Sequence, residues 1–147
     1  MKWYAGSDHA GLRLKRLLID KLHELADEVV DLGTYDEEKV DYPEFAAKVG
    51  LQVVADPGTR GLLVCSTGMG MAIAANKIPG VRAAVVHDSL TAEMARQHLD
   101  ANVIAVGARV IGPGVAEDAI QKFRGMPFLE GRHQRRVDLI MALEKKR

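Results

Sequence analysis

The 147-residue sequence predicts an α/β fold: a Rossmann-like, three-layer α/β/α arrangement around a parallel five-stranded sheet, in a single domain spanning residues 1–147. Three observations carry this expectation. Short apolar runs alternate with segments whose apolar residues recur at helical spacing. No internal repeat, low-complexity tract or linker divides the chain. Polar clusters stand directly after the apolar runs, where open α/β sheets bind ligands beyond the carboxyl ends of their strands.

The elements follow in order. Trp3-Tyr4-Ala5 is a short first strand, followed by the polar Ser7-Asp8-His9. Leu14, Leu17, Leu18, Leu22 and Leu25 recur at helical spacing, with Lys15, Arg16, Asp20 and Lys21 expected on the opposite, wet face and His23 on the surface. Glu28 to Leu32 is a second strand ending at Gly33, and Asp41-Tyr42-Pro43 opens a helix to about Val54. Gly61 to Val64 is a third strand running into Cys65-Ser66-Thr67, with a helix after Gly70. Val81 to Val86 is a fourth strand, ending at His87-Asp88, and Ser89 can cap a helix to about His98. Asn102 to Gly107 is a fifth strand with Arg109 after it, and Gly112-Pro113-Gly114 opens a helix to about Phe123. A last helix begins near Arg132 with Val137, Ile140, Met141 and Glu144 on one face, before a solvated tail, Lys145-Lys146-Arg147.

Composition excludes several classes. Apolar residues make up 48% and charged residues 27%, as in a soluble globular protein. A formal net charge of zero argues against nucleic acid or an acidic membrane as partner. No apolar stretch can span a bilayer and the opening residues do not read as a signal peptide. The single cysteine cannot close an intrachain disulfide, which suits a reducing compartment, so a cytoplasmic location is expected.

The stretch Cys65-Ser66-Thr67-Gly68-Met69-Gly70 carries the most chemistry. A glycine turn at a helix start presents backbone N–H groups and a positive dipole end, a setting that stabilises thiolates and developing oxyanions. It is not a Walker loop, since Met71-Ala72 replaces the lysine and hydroxyl. It matches a dinucleotide fingerprint only in part, with Ile73 at the last position and Asp88 near the distance of a ribose ligand. Met71 stands where a cysteine phosphatase needs arginine. The residues alone leave open an inert buried cysteine or a reactive one. Asp8 suits a helix N-cap or a ligand to a polar group. His98 suits a dipole partner or an acid/base. Arg132 and Arg136, one helical turn apart, with His133 and Arg109, suit a solvated basic face or a phosphate grip. His9, His87, Asp8 and Asp88 lack metal-ligand spacing, so no metal is expected.

Taken in order, Gly6-Ser7-Asp8-His9-Ala10-Gly11, Asp41-Tyr42-Pro43, Cys65 to Gly70 with Ala74-Ala75-Asn76-Lys77, Arg96-Gln97-His98 with Asp100-Ala101-Asn102-Val103, Gly107-Ala108-Arg109-Val110, and Gly131-Arg132-His133-Gln134 with Arg136 resemble the RpiB/LacAB sugar-phosphate isomerase family. The resemblance implies a homodimer or dimer of dimers with sites at the subunit interface, no metal and no organic cofactor. It implies cofactor-independent aldose–ketose isomerisation of a phosphorylated sugar, ribose 5-phosphate to ribulose 5-phosphate, through a cis-enediolate. On that resemblance Cys65 is the proton-shuttling thiolate and Thr67 and His98 open the sugar ring. Gly68, Met69 and Gly70, with Ser66 beside them, cradle the enediolate. Asp8 binds sugar hydroxyls, while His9, Arg132 and Arg136 hold the phosphate with His133 and Arg109 close by, the two helical arginines reaching in from a neighbouring subunit. One departure is Leu99, where the family carries asparagine. Leucine has no hydrogen-bonding group, which implies a tetrose or hexose phosphate as the alternative substrate. A nucleotide-binding module and a non-catalytic subunit are the readings from other classes.

Overall fold

The computed structural model describes residues 1–146. Five strands, β1 (Lys2–Ser7), β2 (Glu28–Asp31), β3 (Arg60–Cys65), β4 (Ala83–Val85) and β5 (Val103–Gly107), form one parallel sheet in the order β2-β1-β3-β5-β4. Helices α1 (Leu12–Glu24), α2 (Tyr42–Ala55), α3 (Met69–Ala75), α4 (Ser89–Leu99), α5 (Pro113–Gly125) and α6 (Arg132–Ala142) follow, with a closing 3-10 turn at Leu143–Lys146. Arg147 of the expected tail lies outside the described residues; Lys145 and Lys146 are exposed.

Successive strand residues point to opposite faces, and both faces of the central strands β1, β3 and β5 are dry. Trp3, Ala5, Leu62, Val64, Ile104 and Val106 meet α1, α4 and α5. Tyr4, Leu63, Cys65, Val103 and Ala105 meet α2 and α3. The three-layer, single-domain α/β/α expectation is therefore met. From β1 the chain winds outward to β2, then returns past β1 to β3. The crevice between the carboxyl ends of β1 and β3 is thus the point where the winding reverses, the usual ligand position in such sheets.

Several local expectations are corrected. Lys15 is not on a wet face: it is fully buried and donates to Asp31 Oδ1 at 2.6 Å. Asp88, not Ser89, caps α4; its carboxylate accepts the Thr91 N–H at 2.7 Å and the Thr91 hydroxyl oxygen accepts the Asp88 N–H in return. Asp8 is not the cap of α1, which begins after Gly11; its Oδ1 instead accepts the Gly11 N–H at 3.0 Å, closing the turn before the helix. A side chain at Gly11 would collide with the Val64 carbonyl, so only glycine lets this turn lie against β3. The fourth strand is three residues long, shorter than the apolar run suggested, because Arg82 N–H and Ala83 N–H turn to the side chains of Asn102 and Asn76. Helix α4 ends at Asp100 in the left-handed region (φ 46°), where its carboxylate takes Arg82 at 3.0 Å and Arg96 at 2.9 Å.

Candidate active site

The upper half of the site gathers at the carboxyl ends of β1, β3 and β5. Cys65 is the last residue of β3 and only 4% exposed. Its Sγ accepts the Gly68 N–H at 3.1 Å. That contact needs Gly68 in a left-handed conformation (φ 79°), pressed against the Val106 backbone. The Met69 N–H is taken by Thr67 Oγ1 at 3.3 Å. Of the turn expected to form an anion cradle, Gly70 therefore supplies the first-turn N–H of α3 to which the helix itself offers no acceptor. The Ala108 and Arg109 N–H groups donate to the Cys65 and Ser66 carbonyls at 2.8 and 3.0 Å. They lace the segment after β5 to the turn and hold exposed Arg109 beside it. Gly107 lies so close that a Cβ there would sit 2.7 Å from the Thr67 carbonyl carbon. From the β1 side, the Asp8 N–H donates to the Val64 carbonyl at 3.3 Å and places the buried Asp8 next to the same turn. His9 follows, its Nδ1 accepting the Val40 N–H at 3.3 Å.

One lining residue had no assigned role in the sequence. A Cβ built on Gly70 would lie 2.6 Å from the Tyr42 ring and 2.9 Å from its hydroxyl, so Tyr42 walls the glycine turn from the α2 side. The Asp41-Tyr42-Pro43 motif was the available signal.

The lower half lies elsewhere. His98 is in the last turn of α4 and stacks on His133 with ring centroids 4.1 Å apart and planes 12° apart. Burial, and then the neighbouring His98, Arg132 and Arg136, push the His133 imidazole below the usual histidine range. The Leu129 N–H donates to the Gln97 carbonyl at 3.1 Å and ties the approach to α6 to this helix end. Arg132 and Arg136 are exposed. Leu99, 41% exposed, lines a cleft of about 310 Å³ along the free edge of β4 with Ile140 and Leu143. Helix α4 starts beyond the carboxyl end of β4 and runs back along the sheet, and eleven helical residues span about 16 Å. His98, Leu99, Arg132, His133 and Arg136 thus sit at the amino end of the sheet, and Cys65, Thr67, Asp8, His9 and Arg109 at the other. Thr67 and His98 of one chain therefore lie at opposite ends of the sheet. Among the described residues no group of three His, Cys, Asp or Glu side chains could hold a metal ion, and no helix is long and apolar enough to cross a membrane.

A thiol beside backbone donors at a winding reversal, with a carboxylate and an imidazole on the adjoining strand end, is equipped for proton transfer on a polar, anionic substrate. The profile of the ribose/galactose isomerase family matches residues 4–140. The Ribose-5-P isomerase B of Listeria innocua is 45% identical over 146 residues, 99% of each chain. The ribose-5-phosphate isomerase B of Escherichia coli is 42% identical over 142 residues, 97% of this chain and 95% of that one. The structure of Clostridium thermocellum ribose-5-phosphate isomerase B superposes with a TM-score of 0.97 at 46% identity, covering 99% of both chains. That of Mycoplasma genitalium ribose-5-phosphate isomerase B with bound ribulose-5-phosphate superposes with a TM-score of 0.94 at 40% identity, covering 99% of this chain and 97% of that one. The chain belongs to the ribose/galactose isomerase family. It is a sugar isomerase of the aldose–ketose kind.

Proposed function

We propose that this protein interconverts ribose 5-phosphate and ribulose 5-phosphate, without metal or organic cofactor, at sites shared between two copies of the chain. The observation that carries the two-copy reading is the placement of the site residues at opposite ends of one sheet. Neither end alone holds a proton shuttle, a ring-opening pair and a phosphate grip. A homodimer related by a two-fold axis brings the upper half of each copy to the lower half of the other, making two sites at once. A dimer of dimers repeats the same pairing.

In this reading His9 and Arg109 of one copy and Arg132, His133 and Arg136 of the other neutralise the phosphate, guanidinium groups matching its oxygens in pairs. Asp8 accepts hydrogen bonds from sugar hydroxyls. Thr67 and the second copy's His98 move the proton that opens the ring. Cys65, as thiolate, takes the C2 proton and returns it to C1, while one hydroxyl proton passes from O2 to O1. Reactant and product are isomers, so the atoms and electrons balance within the sugar. Between the two transfers the enediolate oxygen lies against the Gly70 N–H, at the positive end of α3. The Gly68 N–H on Sγ is a contact that strengthens when sulfur carries charge. Ser66 and Met69 shape the turn around it. A reducing, cytoplasmic setting fits a protein whose one thiol is free.

A second reading keeps the chemistry and changes the sugar. Leu99 adds an apolar wall beside the Ile140 and Leu143 surface, which favours a tetrose or hexose phosphate. Assaying purified protein with four-, five- and six-carbon aldose phosphates, with no added cofactor, tests both. Turnover led by ribose 5-phosphate is expected, and failure on the whole panel overturns the proposal.

A further inference from the structure

The basic face of α1 does not simply meet water. Lys15 is buried to zero exposure, and its Nζ donates to Asp31 Oδ1 at 2.6 Å and to the Thr34 carbonyl at 2.7 Å. The same Asp31 oxygen accepts the Gly33 N–H at 3.0 Å. Arg16 Nη2 donates to the Tyr35 carbonyl at 2.7 Å, and Arg13 Nε to Glu37 Oε1 at 2.9 Å. Helix α1 therefore clasps the start of the segment between β2 and α2. Only the Lys15 contacts lie under cover; the Arg13 pair is exposed and contributes little. Burying an ammonium is costly unless it is paired and hydrogen-bonded, and burial lowers the proton affinity of Lys15 despite the Asp31 partner. A methionine of similar length would fill this space without that cost, so the ammonium's specific contribution is the position it imposes on the backbone it grips.

The far end of the clasped segment reaches His9. The Val40 N–H points at His9 Nδ1, 3.3 Å away. A ring nitrogen that accepts an N–H must present its lone pair, so the imidazole proton resides on Nε2. His9 itself stands in the turn leading into α1. One helix thus anchors both the ring and the segment that orients it.

We propose that Lys15 is a positioning residue: by fixing the segment 33–40 on α1 it presents the Val40 amide that holds His9 in one orientation as the Nε2–H tautomer, making Nε2–H the donor to the anionic end of the substrate. The last clause rests on the reading of His9 as a phosphate ligand; the lock itself does not.

The test is made on the full-length protein carrying Lys15→Met, with Val40→Pro as a second variant that removes the amide donor directly. In the parent, nitrogen NMR is expected to show scalar coupling across the Val40 N–H to His9 Nδ1 bond, with the proton on Nε2. The coupling is lost in both variants. With ribose 5-phosphate, Lys15→Met is expected to raise KM about three- to tenfold with kcat nearly unchanged, the signature of a weakened ground-state contact. In a His9→Ala background the same substitution changes KM by less than about twofold, because it acts through the missing ring. Absence of the coupling in the parent, its survival in Lys15→Met, or an equal KM rise in both backgrounds overturns the proposal. If the parent turns over no sugar phosphate, the functional reading falls, and the coupling still decides whether Lys15 sets the His9 ring.

Discussion

Mixing Cys65→Ala protein with His98→Ala protein, under conditions where subunits exchange, separates the two ways these residues can meet. Within one chain Cys65 closes β3 at the carboxyl end of the sheet, while His98 lies in the last turn of α4, which runs back towards the amino end, so the proposed site takes Cys65 from one copy and His98 from the other. Each variant alone has two crippled sites and is expected to lose about 10²- to 10⁴-fold in turnover. Random re-pairing makes about half of the dimers mixed, and each mixed dimer has one site with both native residues and one with neither. Activity should therefore recover to about a quarter of the wild-type value per chain. The reciprocal mixture sharpens the test. Wild-type protein exchanged with a Cys65→Ala/His98→Ala double variant leaves about a quarter of all sites intact if the site is shared, and about half if it is contained in one chain. Coupled spectrophotometric assay of ketose formation, with native mass spectrometry to count mixed dimers, reads both numbers. No recovery in the first mixture despite abundant mixed dimers, or half-activity in the second, refutes the shared site.

Four further outcomes are expected. Cys65→Ala should abolish turnover with circular dichroism and dimer mass unchanged; full activity would remove the thiol from the mechanism. Asp27 is held at about 2, below its ordinary 3.8, because hydrogen bonds from Arg124, the N-terminal amine and Trp3 outweigh the opposing effect of burial. A depressed carboxyl stabilises the fold above its unfolded value and loses that contribution as pH falls from 3.8 to about 2, a difference of roughly 2 to 3 kcal/mol. Urea titrations should therefore show parent stability dropping more steeply through that window than that of Asp27→Asn, in which Asp56 and Asp88, also held below 3.8, still titrate, and parallel slopes would contradict the assignment. Gly11→Ala should cost about 3 kcal/mol or more, since its methyl meets the Val64 backbone, which no rotamer can relieve; a thermal midpoint within a degree or two of the parent would show that the turn can move. Leu99→Asn should shift preference among aldose phosphates towards ribose 5-phosphate, and an unchanged ranking would remove Leu99 from specificity.

Much of the fold was legible because local and global signals agree. Both faces of the sheet are covered, so β3 and β5 are continuous apolar runs, and each helix carries an apolar stripe or a proline at its start. The carboxyl-end cluster followed from the same pattern, since residues after parallel strands share one side of the sheet. Three features were hidden for identifiable reasons. Lys15 breaks the polarity rule because its partner, Asp31, arrives from another element sixteen positions away. Asp88 outranked Ser89 as a cap because Thr91 answers it, a reciprocal pair visible only when both hydrogen bonds are in place. Which copy supplies His98 to Thr67 was not legible because motif order says nothing about which end of a helix a residue occupies. Counting the rise of α4 from Ser89 would have exposed it.

The turn after β3 is hemmed in by main chain, with Gly68 against Val106 and Gly107 against Thr67. A bulkier side chain at either glycine has nowhere to go, so the turn around Cys65 resists gradual remodelling. The opposite helix end is unconstrained in this way: Leu99 is partly open and borders a cleft rather than a backbone. If the proposed site holds, drift at such a position retunes which sugar is accepted while the turn after β3 stays as it is. New substrate preferences in this scaffold are thus expected to arise at the edge of β4, leaving the sulfur's surroundings as they are.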